Sequence, residues 1–240
     1  MVEVGAGLGS LTLALAESKA DVVAMEIDRG LVSALHEVVG DRPNVRVEVA
    51  DAVLVEWADL LEGPGPWAMV ANLPYNVAVP VVMRVLDEEP RIQRLLVMVQ
   101  REVGERLAAR PGHEHYAGVS VRVAYYCEAK VVRRVPPTVF WPMPNVESVL
   151  VSMVRRPPPV DVDEYAFWRV LRESFAQRRK TMRNAVIRIG APAGDAERVL
   201  EEAGIAPSAR AEELGLEDFA RLTTGLGDIA ALPRHGGKAP

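Results

Sequence analysis

Cysteine is almost missing from this chain: 240 residues contain one, Cys127. That excludes an internal disulfide and a thiolate metal cluster, and Cys127 is expected to be a buried thiol in a cytoplasmic protein. Long apolar runs are also missing. No stretch of eighteen uninterrupted apolar residues occurs, so no helical membrane span is expected. The first residues lack the basic-then-apolar pattern of a secretory signal. There are only four histidines, and no side chains stand at metal-ligand spacing, so no metal is expected. His113 and His115 lie in a polar Pro-Gly loop and read as solvated surface. Internal repeats and low-complexity tracts are absent too.

What remains is a chain that is 49% hydrophobic, enough to bury the core of one large domain beside a small second one. Its net charge of −5 hides a pattern. Residues 1–128 carry −8, residues 129–190 carry +7 and residues 191–240 carry −4. A localised basic surface suits phosphate attraction, although a solvated charged surface would give the same count.

Short β-rich runs at 22–26, 45–49, 67–71 and 95–100 alternate with stretches of helical spacing, such as Leu11 and Leu15 or Leu31 and Leu35. That alternation predicts a parallel sheet covered on both faces. Residues 129–135 and 147–155 read as two more strands, joined by a proline-rich segment. The stretch 117–127 reads equally as helix or strand. Three consecutive prolines, Pro157 to Pro159, place a domain boundary. The expected division is therefore a domain over 1–156, a linker over 157–163, a helical domain over 164–226 and a frayed tail over 227–240. Helices are expected at 164–175, 179–188, 195–203 and 216–226.

Gly5, Gly7 and Gly9 form G-x-G-x-G between a strand stub at Met1 to Val4 and a helix running roughly from Leu8 to Glu17. Such a loop lets a ligand approach bare backbone at a helix N-terminus; a dinucleotide site or a plain strand-to-helix turn would look similar. Glu26 ends the second strand, placed to accept from both hydroxyls of a ribose. Asp51 follows the third strand, placed to accept from an adenine amino group. Either acid alone can be an N-cap or an exposed carboxylate; at successive carboxyl ends of a sheet they describe an adenosine site.

"NLPY", Asn72 to Tyr75, follows the fourth strand. Adenine N6 is a poor nucleophile because its lone pair is delocalised into the ring. The Asn72 amide oxygen and the Leu73 carbonyl can accept its two N–H groups and favour a more pyramidal nitrogen. Pro74 stiffens the turn, and Tyr75 can stack on the base. With a sulfonium as methyl donor, positioning supplies most of the barrier reduction and no strong base is needed. As a tetrapeptide alone, NLPY can equally be a loop with a packed tyrosine.

"EVGAGLGSLT", "EID", "NLPYN", "QREVGERLAARPGHEHYAGVSV", "VPPTVFWPMPNVESVLV" and "FAQRRKTMRN" occur in that order. Together they resemble the ribosomal RNA small-subunit adenine N6,N6-dimethyltransferases, the KsgA family, over roughly Met1 to Leu226. The resemblance implies a Rossmann-like class I S-adenosylmethionine-dependent methyltransferase sheet with a small all-helical C-terminal domain. It also implies transfer of two methyl groups to each of two adjacent adenosines near the 3′ end of small-subunit rRNA. The partner would be a pre-assembled small subunit, modified late in assembly by a monomer without metal. Residue by residue, it assigns Glu3, Gly5 and Gly7 to the methionine part of the cofactor, Glu26 to ribose and Asp51 to adenine. Asn72, counted with both base and cofactor, would hold the target base together with Leu73 and Tyr75, and Phe140 would stack on its other face. Arg178, Arg179, Lys180 and Arg183 fall in the basic segment as phosphate contacts, or as ion pairs joining the domains.

The family normally carries some tens of residues before the glycine loop, including a Gln-Asn-Phe-Leu-like segment over the cofactor. Without them the first strand is a stub, and its neighbours are expected to lack hydrogen-bond partners. A misplaced start or a truncated, inactive product would each account for this; the intact motifs favour the former. Three rival readings remain: a large-subunit rRNA methyltransferase of the antibiotic-resistance type, a catalytically silent assembly factor that binds RNA, and a dinucleotide-dependent oxidoreductase, which has no use for NLPY.

Overall fold

The computed structural model describes residues 1–177 and 179–231. Two compact units emerge, one formed by Met1–Ala108 with Tyr126–Arg156, the other by Ala109–Tyr125 with the chain from Pro157 onward. The boundary at Pro157 coincides with the proline run. A contiguous domain over 1–156 does not hold, because residues 109–125 group with the C-terminal helices.

The first unit is built on seven strands: β1 (Val2–Val4), β2 (Val22–Glu26), β3 (Val45–Val49), β4 (Trp67–Asn72), β5 (Ile92–Gln100), β6 (Cys127–Val135) and β7 (Ser148–Arg155). Their order in the sheet is β3-β2-β1-β4-β5-β7-β6. Helices α1 (Ser10–Glu17), α2 (Arg29–Val39), α3 (Trp57–Leu60), α4 (Ala78–Glu88) and α5 (Arg101–Leu107) connect or flank the strands. All five residues of β2 are buried, as a strand covered on both faces requires. One core cluster sits between α2 and the sheet, where Ala6, Ala24, Leu35 and Val39 pack with Val45 and Val47.

β1 is three residues long, yet it pairs in parallel with β2 on one side and β4 on the other. The Met1 carbonyl accepts a further hydrogen bond from Val23. Trp67, Ala68 and Asn72 of β4 run past it, and all three pair with β5. The stub therefore satisfies its neighbours along its own length.

The sheet is not wholly parallel, as the alternation of strands and helices had suggested. β7 runs antiparallel between β5 and β6. The cause is the connection: β6 reaches β7 through the proline-rich loop 136–147 without a crossover helix, and such a connection joins antiparallel neighbours.

In the second unit the ambiguous stretch is helical, α6 (Gly118–Tyr126), and Tyr126 leads directly into β6. It is followed by α7 (Glu164–Phe175), α8 (Met182–Ile189), α9 (Ala196–Glu202), α10 (Leu216–Leu226) and α11 (Asp228–Ala231). α8 starts three residues later than its periodicity suggests, because Thr181 is extended (φ −73°, ψ 161°) and serves as N-cap. Arg179 and Lys180 thus lie in a loop between α7 and α8, and Arg183 in the first turn of α8.

The expected frayed tail also needs correction, because Asp228–Ala231 is a helical turn. Arg169, almost fully buried on α7, donates to the carbonyls of Ile229 (2.7 Å), Ala230 (3.0 Å) and Ile189 (2.6 Å). One guanidinium thus satisfies the C-terminal carbonyls of two helices, a task that its rigid fork of donors suits. Residues 232–240 lie outside the described residues. Arg169→Ala would leave those carbonyls buried and unpaired, and should destabilise this unit by about 3 kcal/mol. Urea unfolding and faster amide exchange across α11 would register it; an unchanged midpoint would show that the guanidinium contributes little.

Candidate adenosine and target-base site

The glycine loop, Glu26, Asp51 and NLPY all stand at the carboxyl ends of neighbouring strands β1, β2, β3 and β4. Ligands in open α/β sheets bind along this edge.

Gly7 has φ 56°, in the left-handed region, and a Cβ built there would meet nothing within 4 Å. It offers bare backbone to open space. Gly9 (φ 85°) plays a different part, since its Cβ would lie 2.9 Å from Leu35 Cδ1 and 3.2 Å from Val38 Cγ1. Gly9 lets α1 and α2 approach each other, while Gly7 lets a ligand approach the loop.

Glu26, 7% exposed, organises this corner. Its Oε2 accepts from Gly7 N–H at 2.8 Å, and its Oε1 accepts from Ile27 and Asp28 N–H, each at 2.9 Å. Asp51 uses Oδ1 to accept from Val53 N–H at 2.8 Å, which leaves Oδ2 for a ligand.

Glu3 is 1% exposed, and its Oε2 accepts from the Thr12 hydroxyl at 2.6 Å. Burial pushes its carboxyl up to about 7, against the pull of the Thr12 hydrogen bond, and the Glu26 carboxylate adds to the rise. Thr12 carries no signal of its own in the sequence. It is identifiable only once α1 is laid against β1.

Asn72 ends β4 paired with Met98, and Leu73 N–H donates to the Met98 carbonyl at 3.1 Å. The Leu73 side chain is buried, whereas Asn72 is exposed. Among the described residues, neither the Asn72 side-chain amide nor the Leu73 carbonyl makes a hydrogen bond. Gly5 abuts this turn: its Cβ would fall 3.5 Å from Pro74 Cδ and 3.6 Å from the Asn72 carbonyl oxygen. The cofactor loop and NLPY therefore share a wall.

Phe140 joins them. A cavity of about 330 Å³ is lined by Asn72, Leu73, Pro74, Tyr75, Phe140, Pro142 and Pro144. The two aromatic rings arrive from segments 65 positions apart, and the Tyr75 hydroxyl is 3.1 Å from Ser148 Oγ at the start of β7. Apolar walls with a few unpaired acceptors suit a flat heteroaromatic base.

The basic run lies in the other unit. Arg179 and Lys180 are exposed, and their side chains have no partner among the described residues. Arg183 is engaged within its unit, with its Nε 2.7 Å from Glu197 Oε1. Arg178 lies outside the described residues. Among those residues, no group of three or more His, Cys, Asp or Glu could hold a metal ion, and no helix is long and apolar enough to cross a membrane.

The strand order and the cradle at β1 and β2 define a class I S-adenosylmethionine-dependent methyltransferase. Within that class, the family described as "Ribosomal RNA adenine dimethylase" matches residues 1–227. The chain belongs to this family. It is 50% identical over 226 residues to "Ribosomal RNA small subunit methyltransferase A" of Kineococcus radiotolerans, covering 92% of this chain and 75% of that protein. It is 40% identical over 235 residues to the protein of that name from Bacillus thuringiensis, covering 94% and 80%. A dimethyladenosine transferase from Plasmodium falciparum shares the fold, with TM-score 0.79, 22% identity and coverage of 95% and 90%. The 23S rRNA methyltransferase ErmE superposes with TM-score 0.71, 25% identity and coverage of 94% and 89%. The protein is accordingly an rRNA adenine dimethyltransferase that uses S-adenosylmethionine as methyl donor.

Because the Glu3 carboxyl titrates near 7 when folded and near 4.5 when unfolded, its contribution to stability is complete below pH 4.5 and lost as pH rises through 7. Glu3→Gln keeps an acceptor for Thr12 and removes the titration. It should flatten the decline in unfolding free energy across that window, by up to roughly 3 kcal/mol at about 1.4 kcal/mol per pH unit. Urea unfolding at a series of pH values checks this; parallel curves for the two proteins would contradict it.

Proposed function

We propose that the chain dimethylates N6 of two adjacent adenosines near the 3′ end of small-subunit rRNA, late in assembly, on a pre-assembled small subunit in the cytoplasm. The observation that carries this reading is the pair of unpartnered acceptors, Asn72 amide and Leu73 carbonyl, at a cavity walled by Tyr75 and Phe140 and adjoining the glycine loop. The names of the relatives favour the small subunit.

The cradle fits the cofactor. Gly5 and Gly7 present backbone, and Glu3 a carboxylate, to its methionine part, while Asp51 keeps Oδ2 for the adenine amino group. Glu26 has about four acceptor sites, three already taken by backbone N–H groups. It therefore has one left for a ribose hydroxyl, rather than a pair. S-adenosylmethionine supplies an electrophilic methyl group on a sulfonium.

The remaining work falls to the chain. Asn72 and Leu73 accept the N6 hydrogens and aim the nitrogen lone pair, and Tyr75 and Phe140 clamp the ring. The base enters unpaired or flipped, because the cavity admits one base and no helix. Arg179 and Lys180, with Arg178, attract phosphates.

Asn72→Ala should lower turnover about 100-fold or more while the Kd for S-adenosylmethionine stays within about twofold. Methyl transfer to undermethylated small subunits, beside a calorimetric titration of the cofactor, separates the two effects; equal losses would move Asn72 into the cofactor site. Large subunits as substrate provide the contrast, since preferential methylation of these would replace the small-subunit reading with the resistance type. Arg179→Ala with Lys180→Ala should weaken RNA binding and flatten its salt dependence by about 0.7 to 0.9 for every phosphate no longer neutralised. An unchanged slope would make both residues structural.

A further inference from the structure

Loop 136–147 has two faces. Phe140, Pro142 and Pro144 line the base cavity, whereas the alternating residues Val139, Trp141 and Met143 are exposed. Trp141 is 96% exposed, Val139 and Met143 62% each. An indole this bare, in a chain only 5% aromatic, is an exposed apolar group without a folding role.

The strand that feeds this loop is basic. β6 is one of the two edge strands of the sheet, and Lys130, Arg133 and Arg134 on it are exposed, with no ion-pair partner among the described residues. Glu147, the only carboxylate of the loop, is neutralised by Arg101 at 2.8 Å. The end of β6 also lies beside the cavity: Val135 pairs with Ser148, whose Oγ meets the Tyr75 hydroxyl.

We propose that Trp141 and the β6 cations form a track for the single-stranded RNA flanking the target adenosine. A neighbouring base stacks on the indole, and phosphates lie along Lys130 and Arg133, which the register shift between Val131 and Arg133 leaves on one face of β6, with Arg134 on the other. Stacking on aromatics combined with a cationic groove is how single strands are held without sequence reading. The uncompensated positive charge and the continuity with the base cavity select RNA over a protein partner. A base drawn into the cavity breaks its own stacking, and an indole on the outer face of the same wall gives its neighbour a replacement. This track belongs to the sheet unit, whereas the basic loop between α7 and α8 belongs to the helical unit. The inference rests on reading the cavity as the adenine site.

The test is a titration of the full chain with a short single-stranded RNA containing adjacent adenosines, followed by intrinsic tryptophan fluorescence and by anisotropy of a labelled RNA. Trp141→Ala should weaken binding roughly 5- to 100-fold and remove most of the quenching, with cofactor Kd unchanged. Trp141→Phe should retain most of the affinity. Replacing Lys130 and Arg133 by alanine should flatten the salt slope by about 0.7 for each phosphate that loses its cation. Wild-type affinity in Trp141→Ala would overturn the proposal, and so would a Trp141→Leu variant that binds as tightly as the phenylalanine one. Weakened binding to intact small subunits without weakened binding to the free RNA would assign the strip to a ribosomal protein, and would also overturn it. Failure of the adenine-site reading is distinct: Asn72→Ala would then retain methyl transfer, whatever Trp141 does.

Discussion

Three backbone N–H groups converge on the Glu26 carboxylate, and the cofactor edge depends on that convergence. Gly7 belongs to the loop after β1, while Ile27 and Asp28 belong to the turn after β2. One buried anion therefore ties two adjacent strand ends together and fixes the height of the glycine loop above the sheet. The loop in turn lies against Asn72 and Pro74, so its position propagates to the NLPY turn. A charged acceptor of several N–H groups is stronger than a neutral one, and its burial shields it from competing water. The same carboxylate raises the proton affinity of Glu3, which couples the two acids of the cradle before any ligand enters.

The positive charge concentrated in residues 129–190 is shared between the two units. Lys130, Arg133 and Arg134 stand on an edge strand of the sheet unit, while Arg179 and Lys180 stand in a loop of the helical unit. Other cations of the segment do structural work. Arg155 donates to the carbonyls of Ile92, Val85 and Leu86, Arg169 closes two helix ends, and Arg183 and Arg188 pair with Glu197 and Glu173. Burial, pairing and strand position, none of them visible in a charge count, separate phosphate-seeking cations from structural ones.

The site was legible in the sequence because each of its motifs terminates a strand, and strand ends are readable from local periodicity and glycine. Phe140 was not legible that way. An aromatic among prolines reads as packing, and only the resemblance singles it out; the cavity then includes it in its lining together with Tyr75. Pairings of long sequence separation stayed hidden for the same reason: Thr12 against Glu3, and Arg169 against residues some 60 positions later. The tail after Leu226 has no hydrophobic period, and its one helical turn is stabilised by a side chain of α7. The antiparallel β7 was also missed, because strand direction follows from the connection rather than from the strand's own residues.

The composition of the base cavity constrains the chemistry it can perform. Its lining holds no carboxylate, histidine, lysine or cysteine, and its one ionisable group, Tyr75, is 3.1 Å from Ser148 Oγ. The lining thus contains none of the side chains that commonly serve as a general base. On the proposed reading, the nitrogen attacks with its own lone pair and releases its proton to solvent water after transfer, with the acceptors on Asn72 and Leu73 biasing its geometry toward that lone pair. Such a site gains rate from position and preorganisation. The demand does not change for a second transfer: the nitrogen then carries one hydrogen fewer, and either of the two acceptors still suffices to orient it. A pocket that relied on a base would need that base regenerated between turns, whereas on the proposed reading two fixed acceptors beside Tyr75 and Phe140 are ready for the second methyl as they were for the first.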